Sequence, residues 1–87
     1  MTSTELERLR VALLQQLREL DDMPFAALLT GARLAGHREL TEAQLRAELA
    51  YLGDKGFVAP VAKPLSPENK RWRLAAAGRD FLAESGL

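Results

Sequence analysis

Four bases, Lys63, Lys70, Arg71 and Arg73, crowd the segment from Phe57 to Arg73, in which Glu68 is the only acid. Ammonium and guanidinium groups at that density make charge-assisted hydrogen bonds to phosphate oxygens, contacts that anchor a nucleic acid without reading its bases. The whole chain balances 12 Lys and Arg against 12 Asp and Glu, so the local +3 leaves −3 on the remainder. Net charge therefore gives no general attraction to nucleic acid, and any electrostatic footprint is local. Alternation along Arg71-Trp72-Arg73-Leu74 puts Arg71 and Arg73 on one face of a strand and Trp72 and Leu74 on the other. A basic row also serves to solvate an edge strand and block its pairing, so the cluster has two readings. Trp72 has two as well: an anchor buried under the hairpin, or an exposed ring that stacks on a base or a partner side chain.

The other reactive residue types do not converge. His37 is the only histidine, and Asp21 and Asp22 are the only adjacent acids, too few groups for a metal site or a general acid-base pair. Ser3, Ser66 and Ser85 have no histidine or lysine base near them in sequence, and the glycines form no phosphate-cradling loop. The expectation is a non-enzyme with no metal and no cofactor.

These residues need a frame, and 87 residues at 47% hydrophobic content provide for one small domain over 1–87. With no cysteine, stability must come from packing. No apolar run is long enough to span a bilayer and residues 1–7 are too polar for a signal peptide, which leads to the expectation of a cytoplasmic protein.

A first helix is expected over about 3–20, opened by a capping box at Thr2 with Glu5 or Thr4 with Glu7, with Leu6, Leu9, Leu13, Leu17 and Leu20 on one face. Asp21-Asp22-Met23-Pro24 reads as a stop and restart, with Asp22 or Met23 as the cap of a second helix over about 24–35 that buries Phe25, Leu28, Leu29 and Ala32 and stops at Gly36. His37 to Leu40 is a solvated connector with room for a short edge strand. Thr41 caps a third helix over about 41–55, with Gln44 in the box position and Leu45, Leu49 and Leu52 inward. Gly56 ends it, and a hairpin over about 57–74 follows. Pro60 places its first strand at an edge, and the tip from Lys63 to Asn69 is rich in turn formers. A last helix over about 76–84 returns Phe81 and Leu82 to the body.

Leu40-Thr41-Glu42-Ala43-Gln44-Leu45 through Leu52-Gly53-Asp54-Lys55-Gly56-Phe57-Val58 resembles the third helix and first wing strand of winged helix-turn-helix transcriptional regulators of bacteria and phages. Trp72-Arg73-Leu74-Ala75-Ala76-Ala77-Gly78-Arg79-Asp80-Phe81-Leu82 resembles their second wing strand and closing helix, which often read Leu-Thr-x-x-Gly; Ala75 here replaces the threonine and removes a helix cap. The resemblance implies an α+β, mostly α winged helix-turn-helix: three helices, a two-stranded β-hairpin wing and a C-terminal helix. It also implies a DNA-binding regulator or accessory factor, commonly a dimer, with the third helix in the major groove and the wing on the backbone or in the minor groove. Thr41, Gln44, Arg46 and Ala47 become groove contacts, and Lys63, Lys70, Arg71 and Arg73 phosphate contacts.

The residues of the third helix divide that expectation. Its outward arc holds Ala43, Ala47 and Ala50, flanked by Gln44, Arg46 and Tyr51. Gln44 can pair with adenine and Arg46 with guanine, whereas alanine offers only a methyl group, and Glu42 and Glu48 are expected to repel phosphates. The same Ala43, Ala47, Ala50 and Tyr51 surface suits a protein partner or a homodimer seam, so an interaction module without sequence-specific DNA binding stands as the alternative.

Overall fold

Thr2 opens the first helix, α1 (Ser3–Leu20), by accepting the Glu5 N–H on its hydroxyl at 3.2 Å. The computed structural model describes residues 1–61 and 70–87; residues 62–69, which include Lys63 and the expected hairpin tip, lie outside the described residues. In α1 the buried side chains are Leu9, Leu13, Leu14 and Leu17, not the full expected stripe: Leu6 is half-buried and Leu20 is 62% exposed. A stripe spaced every 3.5 residues drifts by about 20° per heptad around a straight helix, so its two ends swing off the packed face and Leu14 swings in.

Asp22–Pro24 is not merely a cap. It forms a strand, β1, and Pro24 is the N-cap of α2 (Phe25–Leu34) without a side-chain hydrogen bond. With β2 (Val58–Pro60) and β3 (Arg71–Leu74) it makes a three-stranded antiparallel sheet in the order β1-β3-β2, so the expected two-stranded wing gains a strand from the α1–α2 connection. The registers Asp22↔Arg73 and Ala59↔Arg73 centre the sheet on β3. Met23, Val58 and Leu74 are buried and Trp72 is half-buried, all on the inner face; Arg71 and Arg73 lie on the outer one. Val61 N–H donates to Arg71 O and Phe25 N–H to Lys70 O, which by strand alternation turns the nitrogens of Pro60 and Pro24 outward at the two edges, where a missing N–H costs nothing. The expected edge strand near His37–Leu40 does not form; that stretch is a turn in which Leu40 N–H bonds to His37 O.

The turn between α2 and α3 (Glu42–Asp54) is set by side chains as much as by backbone. Arg33 donates from Nε and Nη2 to the carbonyl of Leu40 at 3.0 and 2.8 Å, while Leu40 itself is buried. Thr41 then closes the expected capping box: its hydroxyl accepts the Gln44 N–H at 3.1 Å and Gln44 Oε1 accepts the Thr41 N–H at 2.9 Å. Two free donors at the helix start are thereby satisfied.

At its other end α3 stops on Gly56, whose φ of 75° would strain a side-chain-bearing residue. Gly56 N–H reaches Gly53 O, and Phe57 N–H reaches Leu52 O at 2.9 Å, the paired bonds of a glycine-terminated helix. The carbonyl of Phe57 in turn accepts the Ala75 N–H at 2.9 Å, just before α4 (Ala76–Glu84). Ala75 makes no side-chain cap, as its departure from threonine predicts. Above that carbonyl sits Gly78: a Cβ there would stand 2.3 Å from Phe57 O and 2.7 Å from a methyl of Leu74. The last helix can therefore lie on the β2 entry only with glycine at this position, and the Phe57 and Phe81 rings stack alongside at 5.3 Å.

Leucine fills the core. Leu9, Leu13, Leu28, Leu45, Leu49, Leu52 and Leu82 are fully buried, while Phe25, Phe57, Trp72 and Phe81 pack around the margin. Among this apolar set one acid is buried, Glu48 on α3. Its carboxylate takes the Arg10 guanidinium of α1 in a two-pronged contact, Nε at 2.6 Å and Nη2 at 3.4 Å. That hydrogen bond holds the Arg10 pKa above its ordinary value, and the guanidinium also lies 4.0 Å from the centre of the Tyr51 ring.

Two substitution sets check these contacts. Gly78→Ala should cost about 1–3 kcal/mol, the usual cost of overpacking, because the clash is with backbone. Gly31→Ala meets only the Gln16 side chain, which can swing away and give its buried, unpartnered Oε1 access to water. It should stay within about 1 kcal/mol of neutral, since alanine also favours the helix; equal shifts in urea midpoint for the two would refute the close-approach account. Arg10→Met should cost roughly 3 kcal/mol by leaving Glu48 unpaired, and Arg10→Met with Glu48→Leu should recover most of it. A double variant no more stable than the single one would mean that the ion pair is not what holds the site.

Candidate nucleic-acid interface

The burial of Leu45, Leu49 and Leu52 turns one side of α3 outward, and every residue assigned to that side is exposed: Thr41, Ala43, Gln44, Arg46, Ala47, Ala50 and Tyr51. Their polar groups are not equally at liberty. Thr41 Oγ1 and Gln44 Oε1 are engaged in the capping box. Arg46 pairs with Glu42 one turn earlier at 3.5 Å and its guanidinium lies 5.1 Å from the centre of the Phe25 ring on α2. Tyr51 has Arg10 over its ring and the Lys55 ammonium 5.6 Å from its centre. With its C-cap Lys55 included, the exposed charges of α3 cancel, Glu42 and Asp54 against Arg46 and Lys55.

Glu48 corrects the expected phosphate repulsion. It lies inside, three residues after Leu45 and four before Leu52, and its charge is neutralised by Arg10. The helical phase of those leucines was the available signal, since it puts position 48 on the buried side.

The wing changes more. Arg71 and Arg73 share the outer face of the sheet as expected, yet β3 is the central strand, so their row does not guard an edge. Arg71 is tied to β1: Nε meets Asp22 Oδ1 at 3.0 Å, and Nη2 meets the same oxygen at 2.8 Å and the Asp22 carbonyl at 3.3 Å. An acid 49 residues away thus enters the patch and offsets one of its charges. Arg73 is exposed beside it, with Asp22 and Ala59 as its cross-strand neighbours. Lys70 is exposed, its ammonium 4.9 Å from the centre of the Trp72 ring. Half-buried Trp72 packs against the core, which favours its anchor reading. Arg71 and Arg73 share the outer face of β3, whereas Lys70 precedes the strand on the Trp72 side; Lys63 falls outside the described residues.

The cleft of about 590 Å³ between the start of α1 and the α2–α3 turn is lined by Arg8 and Arg38 with Glu5 and Glu39, and by His37, and no serine, threonine or cysteine borders it. No group of three or more potential metal ligands gathers among the described residues, and no helix there is long and apolar enough to cross a membrane.

No protein-family model matches the sequence, and no curated protein sequence does. Among solved structures, the chain superposes with a TM-score of 0.74 on a MarR family transcriptional regulator from Silicibacter pomeroyi DSS, at 19% sequence identity. The match takes in 97% of this chain and 52% of that one, so the chain spans about half the length of that protein. With its helix-turn-helix of α2 and α3, its hairpin of β2 and β3 and the closing α4, the chain has the winged helix-turn-helix fold.

Proposed function

We propose that this chain is a small winged-helix DNA-binding protein, a transcriptional regulator or an accessory factor of bacterial or phage type, that seats α3 in the major groove and lays its wing on the phosphates. The observation that carries this reading is the exposed basic group of Lys70, Arg71 and Arg73 on the wing of a helix-turn-helix. Phosphate contact is what such side chains make, and the helix-turn-helix is the frame that brings a second helix to the groove. A homodimer on a two-fold symmetric site would add affinity beyond what one copy of this size gains.

The test is a titration of labelled protein with duplex DNA, followed by amide shifts at low and moderate salt. Shifts in both α3 and β3, with log K falling by about 0.9 per phosphate contact for each unit of log salt, are expected. Absence of shifts at low salt, or binding indifferent to salt, would remove the proposal.

The charge cancellation on α3 favours a second reading, in which Ala43, Ala47, Ala50 and Tyr51 dock a protein partner or a second copy. Under it, Ala47→Glu should break self-association or partner capture; an unchanged sedimentation profile and unchanged capture would eliminate it.

A further inference from the structure

Resting on the DNA-binding reading, we infer that the chain holds duplex DNA with little regard to sequence, through Arg73 and Lys70, and that α3 fills the groove without reading base edges. The most discriminating direct readout comes from side chains free to make two hydrogen bonds at once: an amide for adenine, a guanidinium for guanine. Gln44 and Arg46 are the exposed residues of those types along α3, and each already has a partner within the chain. A bidentate pair to adenine uses the Gln44 Oε1 and Nε2 together, yet Oε1 already accepts the Thr41 N–H at 2.9 Å. Reading a base would open the capping box that starts the helix. Arg46 is drawn back toward Phe25 and Glu42, and releasing it would leave the Glu42 carboxylate unpaired beside the DNA backbone. Thr41 spends its hydroxyl on the Gln44 N–H, and Ala43 and Ala47 have no hydrogen-bonding side chains.

On the wing the division of labour differs from a row of equivalent bases. The fork from Arg71 onto Asp22 spans the β1–β3 pairing and makes Arg71 a positioning residue. Arg73, on the same outer face, and Lys70, just before the strand, supply the phosphate contacts. Such contacts fix a protein on the duplex and carry no sequence information of their own.

Fluorescence anisotropy on several duplexes of unrelated sequence, with selection from a randomised duplex pool alongside, tests this. Dissociation constants should agree within about threefold, no motif should be enriched, and Gln44→Ala or Arg46→Ala should shift all of them by one common factor, because little discrimination comes from base contacts. The Lys70→Ala, Arg73→Ala double variant should weaken binding to every duplex by about tenfold or more and flatten the salt slope by about 1.8, the share of two phosphates. Circular dichroism of each variant guards against loss of fold. An enriched motif bound more than about tenfold tighter than its scrambled form, with that preference lost in Gln44→Ala or Arg46→Ala, would overturn the inference while sparing DNA binding itself. A slope reduced by Arg71→Ala and unmoved by Arg73→Ala would overturn the wing assignment. If no duplex binds at all, the inference and the reading beneath it fall together.

Discussion

The carbonyl of Phe57 is the point at which the helical part of the molecule and the wing are joined. Its own N–H closes the end of α3, its oxygen receives the first turn of the segment that becomes α4, and its ring stacks on Phe81. The end of α3, the β3–α4 junction and α4 therefore converge on one residue. The convergence is possible because Gly78 brings bare backbone where any side chain would collide with that oxygen. A shift of α4 would strain both the hydrogen bond at Ala75 and the ring stack. A packed interior does not deform gradually, so the angle between wing and helix-turn-helix is set here.

A second tie orients α3 about its own axis. Leu45, Leu49 and Leu52 set which side of α3 meets the core. Glu48 adds a polar constraint on the same side, since its two oxygens meet the Arg10 fork. The ion pair contributes less to net stability than its short distances suggest, because the charges are taken from water to form it. Its effect is directional: it helps fix which residues of α3 face outward, and the Arg10 stack on Tyr51 reinforces the same rotation.

Most of the helical frame was legible in the sequence because it rests on local rules. Thr2, Thr41 and Gln44 cap as their types dictate, Gly36 and Gly56 terminate, and Ala75 leaves its helix uncapped. What escaped the sequence reading depends on partners far along the chain. Asp22–Pro24 is too short to display a periodicity and ends in proline, so its membership of the sheet exists only through β3. The fork between Asp22 and Arg71 follows from that pairing and was equally invisible, which is why Arg71 read as one of four equivalent bases. Glu48 is a different kind of omission: its helical phase was readable, but its type argued for the surface, and Arg10 was the missing term.

The two prolines at the ends of β1 and β2 bear on how the molecule behaves in company. A three-stranded sheet with open sides is ordinarily a template onto which a foreign strand can add, and repeated addition leads to fibrils. Here each outer strand turns a proline nitrogen toward the space a newcomer would occupy, and neither strand exceeds three residues. A ladder begun on either side would lack the rung at the proline. Strand addition at either edge is thus disfavoured by the strands themselves.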